Sequence, residues 1–506
     1  MIGFTAHYRL LAIMSRRLKT ANKPKIFIGR KKELAKFVTL YKKRSPSLCV
    51  IKGRRRIGKS RLASEFAKTS HKGRFWSFAG LAPDVGVTHQ QQIDHFARQL
   101  SLFLKLPSMT FNDWSDALEH LSLHFKSGDI VLFDEISWMG GGDPTFIPKL
   151  KAWWDKQNRH IMLILCGSIS TWIEENILNS TAFFGRINLT ISLEPLSIPE
   201  SAELLKALGV KASDYDLYKI LGIVGGIPWY LEQYDPTQTA DENIKRLAFE
   251  RDGLLVTEFD RLFYDLFNGK GSTYKKILYS LRDGAKSLSE IRTSIKFAHS
   301  GTLSKMIEHL IVAGFINKQP LWSFKTGTPL KQSLYAISDP YMRFYLKVIA
   351  PNIQKILRNG FSTLNLQSLP GFESHLGMQI EHLLLQNRAL LLHALGITDA
   401  DISNDGSYRQ NKSSKQRGVQ IDYLIQTRAK NLYICEFKFK RRELTSDIIR
   451  EIDEKIKNLK APRGFAKIPV LFHIGGVSDS LAMDQYFYRI INLGDLLSLG
   501  DCVVSR

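Results

Sequence analysis

Two stretches of this 506-residue chain hold residue types at spacings that do chemistry. In VIKGRRRIGKSRLASEFA (Val50 to Ala67), Gly53, Gly58, Lys59 and Ser60 satisfy G-x4-G-K-[ST] between an apolar run and a helical pattern. Glycines there let the backbone curl so that its N–H groups surround phosphate oxygens. The lysine ammonium reaches the β and γ oxygens, the serine hydroxyl ligates Mg²⁺, and the helix start adds a favourable dipole. Gly53, Ile57, Gly58, Lys59, Ser60 and Arg61 are therefore the candidate ATP-binding set, with Mg²⁺ as its companion. A second piece is IVLFDE, four apolar residues that carry Asp134 to a strand end. There it would hold Mg²⁺ through water from the neighbouring strand, while Glu135 polarises the attacking water; the competing reading is a capped strand end. LILCGS ends in Ser168, either a γ-phosphate sensor or a strand-to-helix cap.

The other stretch is GVQIDYLIQTRAKNLYICEFKFKRRE. Two apolar runs flank polar TRAKN, which predicts a hairpin. A turn centred on Ala429 sets Asp422 opposite Glu436, and period-2 alternation puts Lys438 on the same face. Two like charges facing each other in an apolar sheet destabilise it unless something neutralises them. A divalent metal, Mg²⁺ or Mn²⁺, held by Asp422 and Glu436 does so, with Lys438 stabilising developing charge or positioning water. In the alternative, the acids simply pair with Lys438 or nearby arginines and the site is inert.

The elements that must position these groups are legible in outline. Continuous apolar strands (SLCVIKG, GDIVLFDE, HIMLILCGS) alternate with helical patterns, which indicates a parallel sheet covered on both faces. Helical segments from about Ser197 to Phe267 would form a lid. From Thr273 three short helices are followed by strands, the winged-helix order, with GTLSKMIEHLIVAGF as third helix. Leu303, Met306, Leu310 and Ile311 fall at core spacing, and Thr302, Lys305 and His309 would face outward, toward a DNA groove or a protein partner. A final α/β segment follows. The expected division is a basic tail 1–24, an ATPase core 25–196, a helical lid 197–268, a winged-helix unit 269–350 and a nuclease-like unit 365–506, several sub-cores in all.

Composition narrows the class. With 44% hydrophobic and 24% charged residues the chain is globular, and 71 Lys+Arg against 48 Asp+Glu give a formal +23, a balance that attracts nucleic acid, DNA foremost. Basic YRQNKSSKQRG and KFKRR would touch phosphate backbone or simply be solvated. Cys49, Cys166, Cys435 and Cys502 are scattered without metal spacing and read as reduced thiols. No apolar run approaches the ~18 residues of a membrane span. The N-terminal basic cluster follows its apolar part, the reverse of a secretory signal. Its Arg-rich, acid-free composition imitates an organelle transit peptide, while Met14 offers a second start; the expected location is cytoplasmic.

In order, FIGRKKEL, GRRRIGKS, LFDE, LCGSIS, FFGRINLTISLEPLS and GGIPWYL resemble the archaeal-type ATPase family, within the AAA-like signal-transduction ATPases with numerous domains, over about Ile26 to Phe267. The resemblance implies that Gly226 and Pro228 form a GxP element packing on adenine, and that Arg186 of FFGR is a conformation-sensing or finger arginine. It also places GRRR in the variable loop positions, so Arg54, Arg55 and Arg56 would supply phosphate-side charge and packing. D-x13-E-x-K resembles the PD-(D/E)xK nuclease superfamily, with Glu381 in the place of its helix glutamate. Together these imply an ATP-hydrolysing switch that binds nucleic acid and cleaves DNA. The alternative is a non-cutting ATPase regulator, and ATP-dependent homo-oligomers fit either.

Overall fold

The run Leu48–Ile51 is wholly buried, as a strand must be when both its faces carry apolar side chains. In a computed structural model it belongs to β1 (Ser47–Gly53), joined in one sheet by β2 (Phe75–Ala79), β3 (Asp129–Asp134), β4 (Ile161–Cys166) and β5 (Ile187–Leu193). The structure describes residues 26–499 apart from 71–72, 83–86, 169, 268–270, 298–299, 324–327, 362, 364, 411, 413 and 415–416. The basic tail, Cys502 and much of the basic loop after Gln410 thus lie outside the described residues. All five strands run parallel in the order β2-β3-β4-β1-β5. One face is sealed by Trp76, Phe96, Trp114, Phe133 and Trp153, the other by Phe37 and Phe66. The expectation that β3 lies beside β1 is corrected: β4 sits between them. Buried strands of equal apolarity carry no mark of their neighbours.

The lid follows as helices Ile198–Ala207, Asp214–Val224, Pro228–Leu231, Ala240–Ala248 and Leu254–Phe267. Ser197 and Thr239 start two of them with reciprocal capping boxes to Glu200 and Glu242, satisfying amides the first turn leaves free. Next come helices Gly271–Leu281, Leu288–Ser294 and Ser300–Val312, then an antiparallel pair, β6 (Ile316–Trp322) and β7 (Pro329–Ile337). In the third helix the buried stripe is Leu303, Ile307 and Leu310. Met306 and Ile311, expected in the core, only flank it, because the i, i+4, i+7 row places Ile307 at its centre. Nor is His309 free to face a groove: its Nδ1 meets the Tyr274 hydroxyl at 2.7 Å and its Nε2 lies 3.8 Å from Glu175.

The C-terminal sheet is mixed. Strands β8 (Ile402–Gln410), β9 (Val419–Thr427) and β10 (Asn431–Lys438) are antiparallel, while β11 (Ala466–His473) and β12 (Arg489–Asn492) run parallel to β10. The order is β12-β11-β10-β9-β8, with helices Phe372–Gln386 and Asp447–Asn458 packed on it. Among the described residues four apolar clusters are buried, and the most extensive runs from Phe37 to Leu497 across several of the expected units. Lid helix Asp214–Val224 explains this, being buried continuously from Leu217 to Val224. Its Gly222 admits helix Phe372–Gln386 so closely that a Cβ would lie 2.8 Å from Ile380, and its Tyr218 hydroxyl donates to Leu493 O at 2.8 Å.

Candidate functional site

Gly53 ends β1 at φ 148°, where an added Cβ would meet Leu193 O of β5 at 2.6 Å, so only glycine fits. Gly58, at φ 96°, turns the chain into helix Lys59–Ser70, which puts Ser60 in its first turn. Lys59 is 6% exposed and donates to the carbonyls of Gly53 and Arg54 at 3.0 and 3.2 Å. Burial lowers its pKa, against which Glu135, Cys166 and Asp134 hold it up. The acids at the tip of β3 therefore act on the loop lysine across the intervening strand.

Cys166 closes the gap. At the end of β4 its thiol donates to Asp134 Oδ1 at 2.9 Å, and burial, with Asp134 beside it, pushes the thiol's pKa well up. Glu135 takes left-handed backbone (φ 50°), and its Oε2 accepts from both the amide and the hydroxyl of Ser168 at 2.8 Å. In this arrangement Ser168 aims the carboxylate of Glu135. Sequence spacing gave no sign of either contact beyond the small polar residues that end LILCGS.

Pro228 lines a small pocket with Ile26, Phe27, Ile28, Gly58 and Arg61. Its cavity volume is about 30 Å³. Arg61 crosses its edge, ion-paired to Glu232 of the lid and donating to Ile26 O. Gly226 does not reach the pocket: its added Cβ would lie 2.0 Å from Leu196 O, and its carbonyl accepts from Leu196 N at 2.8 Å. It lets two backbones touch. Arg186 stands apart, forked onto Asp155 at 2.5 and 3.1 Å, a pairing that pulls Asp155 down to about 2.

Two of the three loop arginines point away from any phosphate. The buried Arg54 guanidinium is ion-paired to Asp339, donates to the Tyr230 hydroxyl at 3.3 Å and lies over the Tyr230 and Phe315 rings. Arg56 is ion-paired to the fully buried Glu258 and stacks 3.4 Å over Trp229. Tyr230 then donates to Glu258 at 2.9 Å. The expected phosphate-side charge of Arg54 and Arg56 is thus corrected: desolvated aromatic and acidic partners on the lid and beyond β7 compete better for these guanidinium groups. Arg55 lies 5.9 Å over Trp138.

In the C-terminal sheet Cys435 pairs with Tyr423, a register that continues to Glu436 opposite Asp422, as a turn centred on Ala429 requires. Asp422 Oδ2 accepts from Phe437 N at 2.9 Å. Burial, then Asp422, pushes Glu436 up to about 7; Glu381 is pushed to about 8 by burial, then by Asp422 and Glu436. Lys438 donates to Glu451 at 2.7 Å and lies 3.9 Å from Glu436. The structure thus gathers Asp422, Glu436, Lys438 and Glu381, and adds Glu451 and Lys455, which the motif did not point to. Among the described residues no group of three His, Cys, Asp or Glu stands ready to hold a metal, and no helix is long and apolar enough to cross a membrane.

Residues 27–234 match the profile of a family of ATPase domains predominantly from Archaea. An uncharacterized protein of Methanocaldococcus jannaschii is 26% identical over 365 residues, 70% of this chain and 76% of that relative. Among solved structures, the Aeropyrum pernix ORC2 protein, in ADPNP and ADP complexes, aligns at 14% identity and TM-score 0.41 over 67% of this chain and 97% of its own. The Thermotoga maritima RuvB Holliday junction branch migration motor aligns at 18% identity and TM-score 0.34 over 58% and 91%. With the glycine loop, its lysine and the paired acids of β3 in place on a parallel sheet, residues 27–234 are similar to the ATPase domains of that family.

Proposed function

We propose that this protein is an ATP-hydrolysing switch that binds nucleic acid and, through its C-terminal carboxylate site, cleaves DNA. One observation carries the coupling: two consecutive lid helices reach the two ends of the machine. Pro228, just beyond Asp214–Val224, borders the nucleotide pocket, while Tyr215 of that helix stacks on Phe439, the residue after Lys438, at 4.4 Å. Arg441 adds a 3.1 Å ion pair to Asp216. A lid that shifts on ATP binding moves the chain leaving the carboxylate site.

At the nucleotide site the loop amides from Gly53 to Ser60 cradle the triphosphate and Lys59 neutralises its outer oxygens. Hydroxyl and carboxylate are the donors that magnesium takes, so Ser60 and Asp134 are the residues that would hold it, Asp134 through water. Bound there, Mg²⁺ supplies charge neutralisation. Glu135, aimed by Ser168, polarises the attacking water. Pro228 packs on adenine once the lid opens, and Arg186 leaves Asp155 to act as sensor or finger. At the C-terminal site Asp422 and Glu436 would hold the metal, with Glu381 as the helix glutamate, and Lys438 would stabilise developing charge or position the attacking water. The +23 balance supports a nucleic-acid partner. The helix–hairpin unit over 271–337 serves as a winged helix toward DNA or a protein.

A non-cutting ATPase regulator is the second reading, favoured by the ammonium that now holds Glu436. Plasmid nicking with Mg²⁺ or Mn²⁺, with and without ATP, separates the two. Cleavage lost in Glu436→Ala supports the first. Failure to cut any DNA or RNA form, with ATP and metal present, leaves only the second.

A further inference from the structure

Glu436 is fully buried and its two oxygens fare differently. Oε2 receives the Lys455 ammonium at 2.5 Å, whereas Oε1 is buried without a hydrogen-bond partner. An orphaned oxygen on a buried carboxylate is costly and marks a place for a cation. Lys438, the lysine of the D-x13-E-x-K pattern, is 3.9 Å from Oε2 and donates instead to Glu451. The cation resting on the acid therefore comes from outside the motif, on helix Asp447–Asn458.

That helix is anchored by Ile448 and Ile452, while the Lys455 side chain keeps 27% of its surface in water. It has somewhere to go. The ammonium on Oε2 thus sits on the same carboxylate whose bare Oε1 would take a divalent ion, while Asp422 Oδ2 is held by Phe437 N. Like charges exclude each other at this range. We propose that Lys455 is a built-in competitor for the divalent cation: its ammonium occupies Glu436 and must withdraw before metal enters. This rests on the carboxylate-site reading given above. A site competent only when the lysine is away binds metal more weakly by the fraction of time it is away.

Mn²⁺ titration calorimetry on the full chain without nucleotide tests this, comparing wild type, Lys455→Met and Lys455→Gln, each with and without Glu436→Gln. The expected result is Mn²⁺ binding abolished by Glu436→Gln and tightened at least tenfold by Lys455→Met. Should Lys455→Met fail to fold because Glu436 is left bare, Lys455→Gln keeps a donor on Oε2 without the charge, and must show the same tightening. Equal, Glu436-dependent affinities in wild type and both variants would overturn the competitor while keeping the metal site. No Glu436-dependent binding in any variant would overturn both.

Discussion

Replacing Arg54 by methionine keeps the length and the apolar stem of the side chain but removes the guanidinium that ties the phosphate loop to Asp339. Both partners are buried, with side chains 6% and 2% exposed, and Asp339 also caps the following helix by accepting from Met342 N at 2.7 Å. Breaking a buried pair by removing one partner costs about 3–5 kcal/mol, because the survivor remains as an unpaired buried charge. Asp339→Asn keeps the cap, since asparagine caps as well as aspartate, and so isolates the charge. Its cost falls in the same range. The double variant leaves no bare charge, so it should cost much less than the sum, a coupling of about 2–3 kcal/mol. A chain of several packed units does not unfold in two states. The suitable assay is therefore hydrogen exchange, reading local opening in segments 54–62 and 339–350. Each single variant should loosen both segments, and the double variant should restore protection. Additive losses, or loosening confined to the mutated segment, would refute the linkage.

Three further outcomes are expected. Asp129 is buried among four donors, the amides of Lys126 and Arg74, the Arg74 guanidinium and the Trp76 indole, at 2.8–3.0 Å. Burial raises its pKa, but these bonds outweigh it and hold the group below 3.8. Its stabilisation is thus present above the ordinary carboxylate range and lost as pH falls through the depressed value; Asp129→Asn should cost about 2–4 kcal/mol of local opening at neutral pH by hydrogen exchange in β3. His375 is pushed from 6.5 to about 4 by burial, then by Arg343 and Lys347. The unfolded chain therefore binds the proton first. Hydrogen-exchange protection of helix Phe372–Gln386 should fall from pH 6.5 toward 4, by about 3 kcal/mol in all, and His375→Gln should flatten that slope. Ser168→Ala removes one of the two bonds that aim Glu135, so ATP turnover should drop about tenfold in kcat with little change in KM; an unchanged kcat contradicts the positioning role.

The residues of both candidate sites were legible because each rests on local geometry: a glycine loop between a strand and a helix, and a hairpin whose turn fixes the register of Asp422 and Glu436. What joins them across the fold was not. Apolar strands reveal that they are buried but not beside which partner, so β4 between β1 and β3, with the Cys166 thiol bridging to Asp134, was hidden. The loop arginines read as phosphate-side charge and packing because the acidic partners of Arg54 and Arg56 lie far along the chain, at Asp339 and Glu258. Lys455 belongs to a run of alternating acids and lysines on an amphipathic helix, a pattern that ordinarily means a solvated face. Only the packing of that helix over β10 distinguishes it from its neighbours.

ATP binding and phosphate release by purified wild type and Lys59→Ala test the central claim most directly. If the amides after β1 and the Lys59 ammonium grip the triphosphate, the wild type binds ATP and releases phosphate, and the variant loses both by two orders of magnitude or more, on the order of 3 kcal/mol. A Lys59→Ala protein that binds and turns over ATP as the wild type does would contradict it.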